Sequence, residues 1–241
     1  MISTNIHFQS LKESYDKVGN KTWLVSDFVQ SNLDSSRSFF TNESLSSRKP
    51  IPKNFEVYAL LSGLPFSKGF CNKLVHIQQN ISKIINNKLH YWVQPQNFGV
   101  EYCVFKWPNE EWDESREAVI KNELNTLDYP PFILNIKGIQ VNPDGCVIAR
   151  GYDEERTIFN IREHIKNHLL FIPEKQSGWS HVPLGRILEP IGSKEFRNLK
   201  YLVDKLSNDL IASEKISTVK FVHETRWYME EKSILSIFHI D

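Results

Sequence analysis

Imidazoles, thiols and carboxylates are the side chains that move protons, hold metals or attack electrophiles near neutral pH, and this chain places few of them at telling intervals. His164 and His168 stand four apart in a segment of helical spacing, an interval that puts two imidazoles on one face and can bind a metal ion. No third ligand follows at the customary spacing and no HExxH run exists, so solvent-facing histidines are the plainer expectation. No metal and no cofactor are expected. Cys103 and His181 are conceivable as a nucleophile and its base, although Cys103 reads better as a buried, unreactive thiol. Gly145 and Gly151 belong to turns, since no GxxxxGK or GxGxxG run is present to cradle phosphate. Lys220, Glu224, Arg226 and Tyr228 alternate along one late segment and so share one strand face. Arg226, with Tyr228, is the candidate for binding a phosphate or carboxylate there, against the plain alternative of a sheet-surface ion pair.

The elements that must position these groups follow from periodicity. Residues 55–61 read as a strand, followed by a helix whose Phe70, Leu74, Ile77, Ile81 and Ile84 form one apolar stripe. Strands follow at 89–93 and 98–106, then a helix over about 110–124 with Glu110, Glu111 and Asp113 in its first turn. Residues 132–141 and 146–150 read as a hairpin around Asn142-Pro143-Asp144-Gly145. A third helix carries Ile158, Ile161, Ile165 and Leu169, and a strand covers 179–188. A fourth helix carries Phe196, Leu199, Val203, Leu206 and Leu210, and strands at 218–229 and 234–240 close the chain. Several strands are joined too briefly for parallel crossovers. The expectation is an α+β fold with mainly antiparallel sheets flanked by helices and a roughly duplicated order of elements.

Before residue 55 the chain changes character. Residues 31–54, rich in serine with Pro50 and Pro52, read as a polar linker. Residues 11–29 offer one or two short helices carrying Trp23, Leu24 and Phe28, an arm that packs on the main domain or docks a protein partner. The expected division is an arm and linker at 1–54 and a main domain at 55–241.

Composition bounds the function classes. Lysine plus arginine and aspartate plus glutamate number 29 each, so the formal net charge is zero and long-range attraction to a polyanion is lacking. Gripping long duplex nucleic acid is disfavoured; a short or terminal nucleotide ligand is not. Three widely spaced cysteines make no disulfide framework or metal knuckle. No secretory signal pattern opens the sequence and no apolar run approaches the ~20 residues of a membrane span. A cytoplasmic protein with no membrane association is expected.

The run Tyr91-Trp92-Val93-Gln94-Pro95-Gln96-Asn97-Phe98 leading into a strand resembles the first half of the 2H phosphoesterase family, which includes 2′-5′ RNA ligase-like proteins and cyclic phosphodiesterases. The hairpin at 132–145 is similar to the one before that family's second half, and Ser180-His181-Val182-Pro183-Leu184-Gly185-Arg186 resembles its second motif. The resemblance covers about 55–241 and implies two pseudo-symmetric lobes, each giving a His-x-Thr/Ser strand to a central cleft. Carried over, the motif positions fall on Gly99 and Glu101 and on His181 and Pro183, of which only His181 matches. In such a site one imidazole takes a proton while the other protonates the leaving oxygen, and the hydroxyls donate to the phosphoryl oxygens.

With one imidazole and both hydroxyls missing, the resemblance implies a degenerate site. His181 would be general acid or base, or a structurally bonded histidine. Glu101 would be its catalytic partner, a group for a cation or ligand donor, or a surface carboxylate. Strand alternation puts Gly99, Glu101 and Cys103 on one face. The implied ligand is a small phosphorylated molecule or an RNA end, without metal. Two functions stay open: a weak or altered phosphodiesterase, and a non-catalytic ligand-binding or protein-interaction module on the same fold.

Overall fold

The apolar and aromatic residues of Asn54–Gly63 make a strand (β1) buried along most of its length, and two other strands flank it. The computed structural model, which describes residues 2–86 and 88–240, pairs β1 antiparallel with β3 (Gly99–Lys106) and with β8 (Thr218–Arg226). β9 (Glu231–His239) completes a four-stranded sheet of order β3-β1-β8-β9. The second sheet has the order β2-β6-β5-β4-β7, from β2 (His90–Trp92), β4 (Phe132–Val141), β5 (Cys146–Asp153), β6 (Val182–Ile187) and β7 (Leu210–Ile216). All recorded pairings are antiparallel. β2 joins the second sheet while β8 and β9 return to the first, so neither lobe is one continuous stretch of chain.

Seven helices are found among the described residues: α1 (Ile2–Thr22), α2 (Gln30–Arg37), α3 (Asn42–Ser46), α4 (Lys68–Ile84), α5 (Ser115–Leu124), α6 (Thr157–His168) and α7 (Ser193–Leu206). The fold is α+β with antiparallel sheets, as the periodicities predict. The stripe of α4 buries Phe70, Leu74, Ile77 and Ile81, and Ser67 caps the helix by accepting from the Phe70 N–H. The Asn142–Gly145 turn joins β4 to β5, with Gly145 at φ +83° where a side chain would be strained.

Several expectations need correction. The segment before residue 55 carries one long helix, α1, and two short ones, in place of one or two short helices and a polar linker; of the two roles open to the arm, it packs on the main domain. Leu33 and Phe40 are fully buried, and the Ser36 hydroxyl, also buried, donates to the Asp144 carbonyl at 2.5 Å. α1 lies on β4 and β5, where Leu11 and Tyr15 pack with Ile148 and Tyr152. Trp23 and Phe28 each contact the Phe196 ring of α7 at 5.1 Å. The helix assigned to 110–124 starts only at Ser115, leaving Glu110, Glu111 and Asp113 ahead of it. Leu210 belongs to β7, not to the preceding helix, which ends at Leu206 before a Ser207-Asn208-Asp209 turn. His181 precedes β6 rather than lying within it, and Tyr228 lies in the β8–β9 turn at φ +65°.

Candidate functional site

Alternation along β1 sends Val57, Ala59 and Leu61 to one face of the first sheet, and the register sets functional side chains beside them. Val57 is opposite Glu224 of β8, Leu61 opposite Glu101 of β3, and Gly63 opposite Gly99. A bulge between Glu101 and Cys103 leaves Tyr102 as the extra residue and reverses the alternation beyond it. Val104 therefore packs with Val57, Ala59 and Leu61, while Cys103 turns to the opposite core. Grouping Cys103 with Gly99 and Glu101 on one face is thus corrected. Burial pushes its thiol up to about 12, which suits an inert thiol and not a nucleophile.

The two sheets flank an open cleft of about 300 Å³. Gly99, Glu101 and Glu224 reach it from the first sheet, Pro183 from the second, His181 from the segment just before β6, and Tyr228 from the β8–β9 turn. All four positions carried over from the family motif therefore line one cavity. Leu61, Val57 and Met229 give it apolar walls. Pro183, which cannot donate to a ladder, sits where the β5–β6 register shifts, so an interior strand tolerates it through a bulge.

The electrostatics are those of weakly solvated acids. Burial raises the Glu101 carboxyl to about 7, with the Arg162 guanidinium pulling the other way. Burial raises Glu224 to about 8; the Met229 N–H, donating to its Oε1 at 2.7 Å, and the Lys232 amine oppose this, while Glu101 adds to it. Burial, then Arg162, lowers the His181 ring to about 4. Among the described residues no hydrogen bond or ion pair joins Glu101 to His181, so no neighbouring carboxylate holds the ring protonated. Near pH 7 the cavity thus offers a neutral imidazole and two carboxyls poised between their acid and base forms.

Arg162 of α6 supports the site from behind. Its Nε donates to the Tyr102 carbonyl at 2.6 Å, and one Nη donates to the carbonyls of Glu101 and Trp179 at 3.1 and 3.0 Å. Gln176 caps the same edge of β3, accepting from the Val104 N–H and donating to its carbonyl at 2.8 and 2.9 Å. The exposed ladder of an edge strand is thereby closed. From α1, Tyr15 donates to the Gly151 carbonyl and accepts from the Ser180 N–H, both at 3.2 Å, and Trp179 donates to Ser14 at 2.9 Å. The segment carrying His181 is thus held by the N-terminal helix. At Gly151 a Cβ would fall 1.8 Å from the Ser180 carbonyl oxygen, so glycine there permits the close approach.

Arg226 is not among the lining residues. It pairs with Glu231 at 2.8 Å and donates to the Pro52 carbonyl, because register shifts on both sides of the end of β8 interrupt the stripe that Lys220 and Glu224 share. Tyr228 does line the cavity, but its hydroxyl accepts from Arg186. Sequence reasoning missed Arg162, although an arginine four residues after Ile158 and three before Ile165 falls on the buried stripe of its helix. It also placed Glu224 only in a surface stripe. His164 and His168 do acquire a third donor: Glu123, at the end of α5.

No family model matches the sequence and no curated protein matches it significantly. Solved structures do resemble it. The protein TT0787 of Thermus thermophilus superimposes with a TM-score of 0.53 at 13% identity, over 77% of this chain and 97% of that one. Escherichia coli LigT complexed with 3′-AMP gives 0.54 at 10%, over 77% and 98%. The conserved protein ATU0111 from Agrobacterium tumefaciens gives 0.59 at 10%, over 77% and 87%. LigT has also been solved with phosphate, NADP+ and ATP. No helix among the described residues is long and apolar enough to cross a membrane. Two antiparallel sheets with flanking helices, superimposing over most of the length of these proteins, give this chain the fold of the 2H phosphoesterases.

Proposed function

We propose that the cavity is a degenerate phosphoesterase cleft that binds a small nucleotide-class ligand and turns over phosphodiesters only weakly. One observation carries this: the four motif positions are Gly99, Glu101, His181 and Pro183, and all of them line the same cavity. None supplies a hydroxyl; of the two hydroxyls nearby, Ser177 donates to the Trp179 carbonyl, while Tyr228 accepts from Arg186 and keeps its own proton for a ligand. Nor does Gly99 leave ready room for an imidazole, since a Cβ there would lie 3.2 Å from the Ser62 carbonyl oxygen. His181, neutral at pH 7, can accept a proton, and the protonated fraction of Glu101 can return one. A dianionic phosphate placed against Glu101 and Glu224 would meet carboxylates. The apolar walls and the acceptor-rich floor suit a nucleobase, whose ring is buried and whose N–H groups donate. Nucleotide complexes of LigT, a fold neighbour, agree with that ligand class.

Calorimetry with adenosine, 3′-AMP and ATP, alongside assays on 2′,3′-cyclic AMP and a 2′-5′-linked dinucleotide, tests the proposal. Binding with near-background turnover is expected, because a positioned general acid or base contributes about 10²–10⁴-fold. Affinity for 3′-AMP should weaken from pH 6 to 9 as Glu101 and Glu224 ionise, and Glu101→Gln should lessen that trend. Robust hydrolysis abolished by His181→Ala would show that another group has replaced the missing imidazole. Absence of binding by all three ligands would reject the nucleotide class.

A further inference from the structure

We propose that Glu123, His164 and His168 form a binding site for a zinc-type divalent cation that clamps α5 to α6. His164 and His168 share one face of α6 because they stand four apart, and their ring centroids lie 4.3 Å from each other. Glu123, the penultimate residue of α5, meets both: its Oε1 is 2.7 Å from His164 Nε2 and 3.1 Å from His168 Nδ1. The three donor atoms fall within 4.8 Å of one another. A tetrahedral ion about 2.0–2.2 Å from each ligand holds its donors roughly 3.3 Å apart, so side-chain rotation can close the set without moving the helices. Two imidazoles and one carboxylate favour zinc and its neighbours over calcium or magnesium, which take oxygen ligands. His168, whose side chain is 52% exposed, leaves a solvent route to the ion and to a fourth coordination position.

On binding, each ring turns its bare nitrogen toward the ion and carries its proton on the other nitrogen, while Glu123 supplies a carboxylate oxygen. From neutral rings, no net proton or electron change is required. The clamp would act on the helix that also carries Arg162, the residue holding the Glu101, Tyr102 and Trp179 carbonyls. It makes no use of the chemistry proposed for the cavity, so the two stand or fall separately.

The test uses the full chain without an affinity tag, stripped with a chelator and titrated with zinc chloride by calorimetry. One equivalent should bind and raise Tm. His164→Asn/His168→Asn should weaken binding by more than about 100-fold, beyond the 10–100-fold that losing a supporting partner costs; near-UV circular dichroism checks that the variant is folded. Zinc-edge X-ray absorption of the unaltered protein gives a readout that needs no variant, with nitrogen and oxygen ligands expected. No binding, sulfur ligation, or equal binding by the folded double variant would overturn the site.

Discussion

Tyr15→Ala is expected to destabilise the protein by about 3–5 kcal/mol, the range for deleting a large buried aromatic. Tyr15 is fully buried, lies 5.0 Å from the Trp179 ring and 5.7 Å from that of Tyr152, and bonds to Gly151 and Ser180. Tyr15→Phe separates the polar part. It keeps the ring but leaves the Ser180 N–H without its acceptor, a loss of about 1–3 kcal/mol when no water can enter. The Gly151 carbonyl still accepts from the Ser180 hydroxyl at 2.7 Å, so the damage should concentrate on the segment leading to His181. Urea unfolding measures both variants. Alanine within about 1 kcal/mol of the parent, against the range expected for a buried aromatic, would mean that α1 does not support the second sheet in solution.

Glu224→Gln is expected to stabilise the protein at pH 8.5 and to change little at pH 5. A carboxyl whose folded pKa lies above its unfolded value binds more protons in the native state, so its contribution is fully present at low pH and is lost as pH rises through the folded pKa. For Glu224 that window runs from about 4.5 to about 8. At 1.36 kcal/mol per unit the loss over that whole window is on the order of 5 kcal/mol. Glutamine keeps an acceptor for the Met229 N–H but does not ionise. Lys232 and Glu101 face this carboxyl and Arg162 faces Glu101, so Glu101 adds a slope of the same sign up to about 7. His181 runs the other way: its folded pKa of about 4 gives stability that is present above 6.5 and lost as pH falls toward 4. Between pH 6.5 and 8.5, then, the parent should lose stability relative to the variant. A difference that stays constant with pH would place the Glu224 carboxyl in bulk water.

The helices with unbroken apolar stripes, the β4–β5 hairpin and the α+β class were legible because each rests on local periodicity or turn chemistry. β7 was hidden because Leu206 and Leu210 keep helical spacing across the turn that separates helix from strand. The segment at 31–54 misled through composition: its serines look like solvent partners, yet Ser36 is buried and accepts from Arg186 at 2.6 Å. At the site, Gly99, Glu101, His181 and Pro183 came from the family resemblance, and the structure brings them to one cavity. The bulge at Tyr102 depends on a pairing that no run of residues announces, and with it went the placement of Cys103. Glu123 meets His164 only through tertiary packing, 41 residues away.

The bonds between α1 and the strand segments also set an order of events during synthesis. Ser14 and Tyr15 find their partners at Trp179 and Ser180, 165 residues later. A ribosome adding roughly 5–20 residues per second makes that landing surface on the order of ten seconds after the helix has emerged. Until β4 and β5 follow, α1 has no native place to bury Leu11 and Tyr15, until Trp179 and Ser180 follow it lacks these bonds, and closing so long a loop contributes to slow assembly. The nascent chain thus carries its first helix as an undocked amphiphile, a natural substrate for a holding chaperone. Limited proteolysis of chains arrested with Trp179 and Ser180 either not yet made or well clear of the ribosome would show α1 fully protected only in the longer chain.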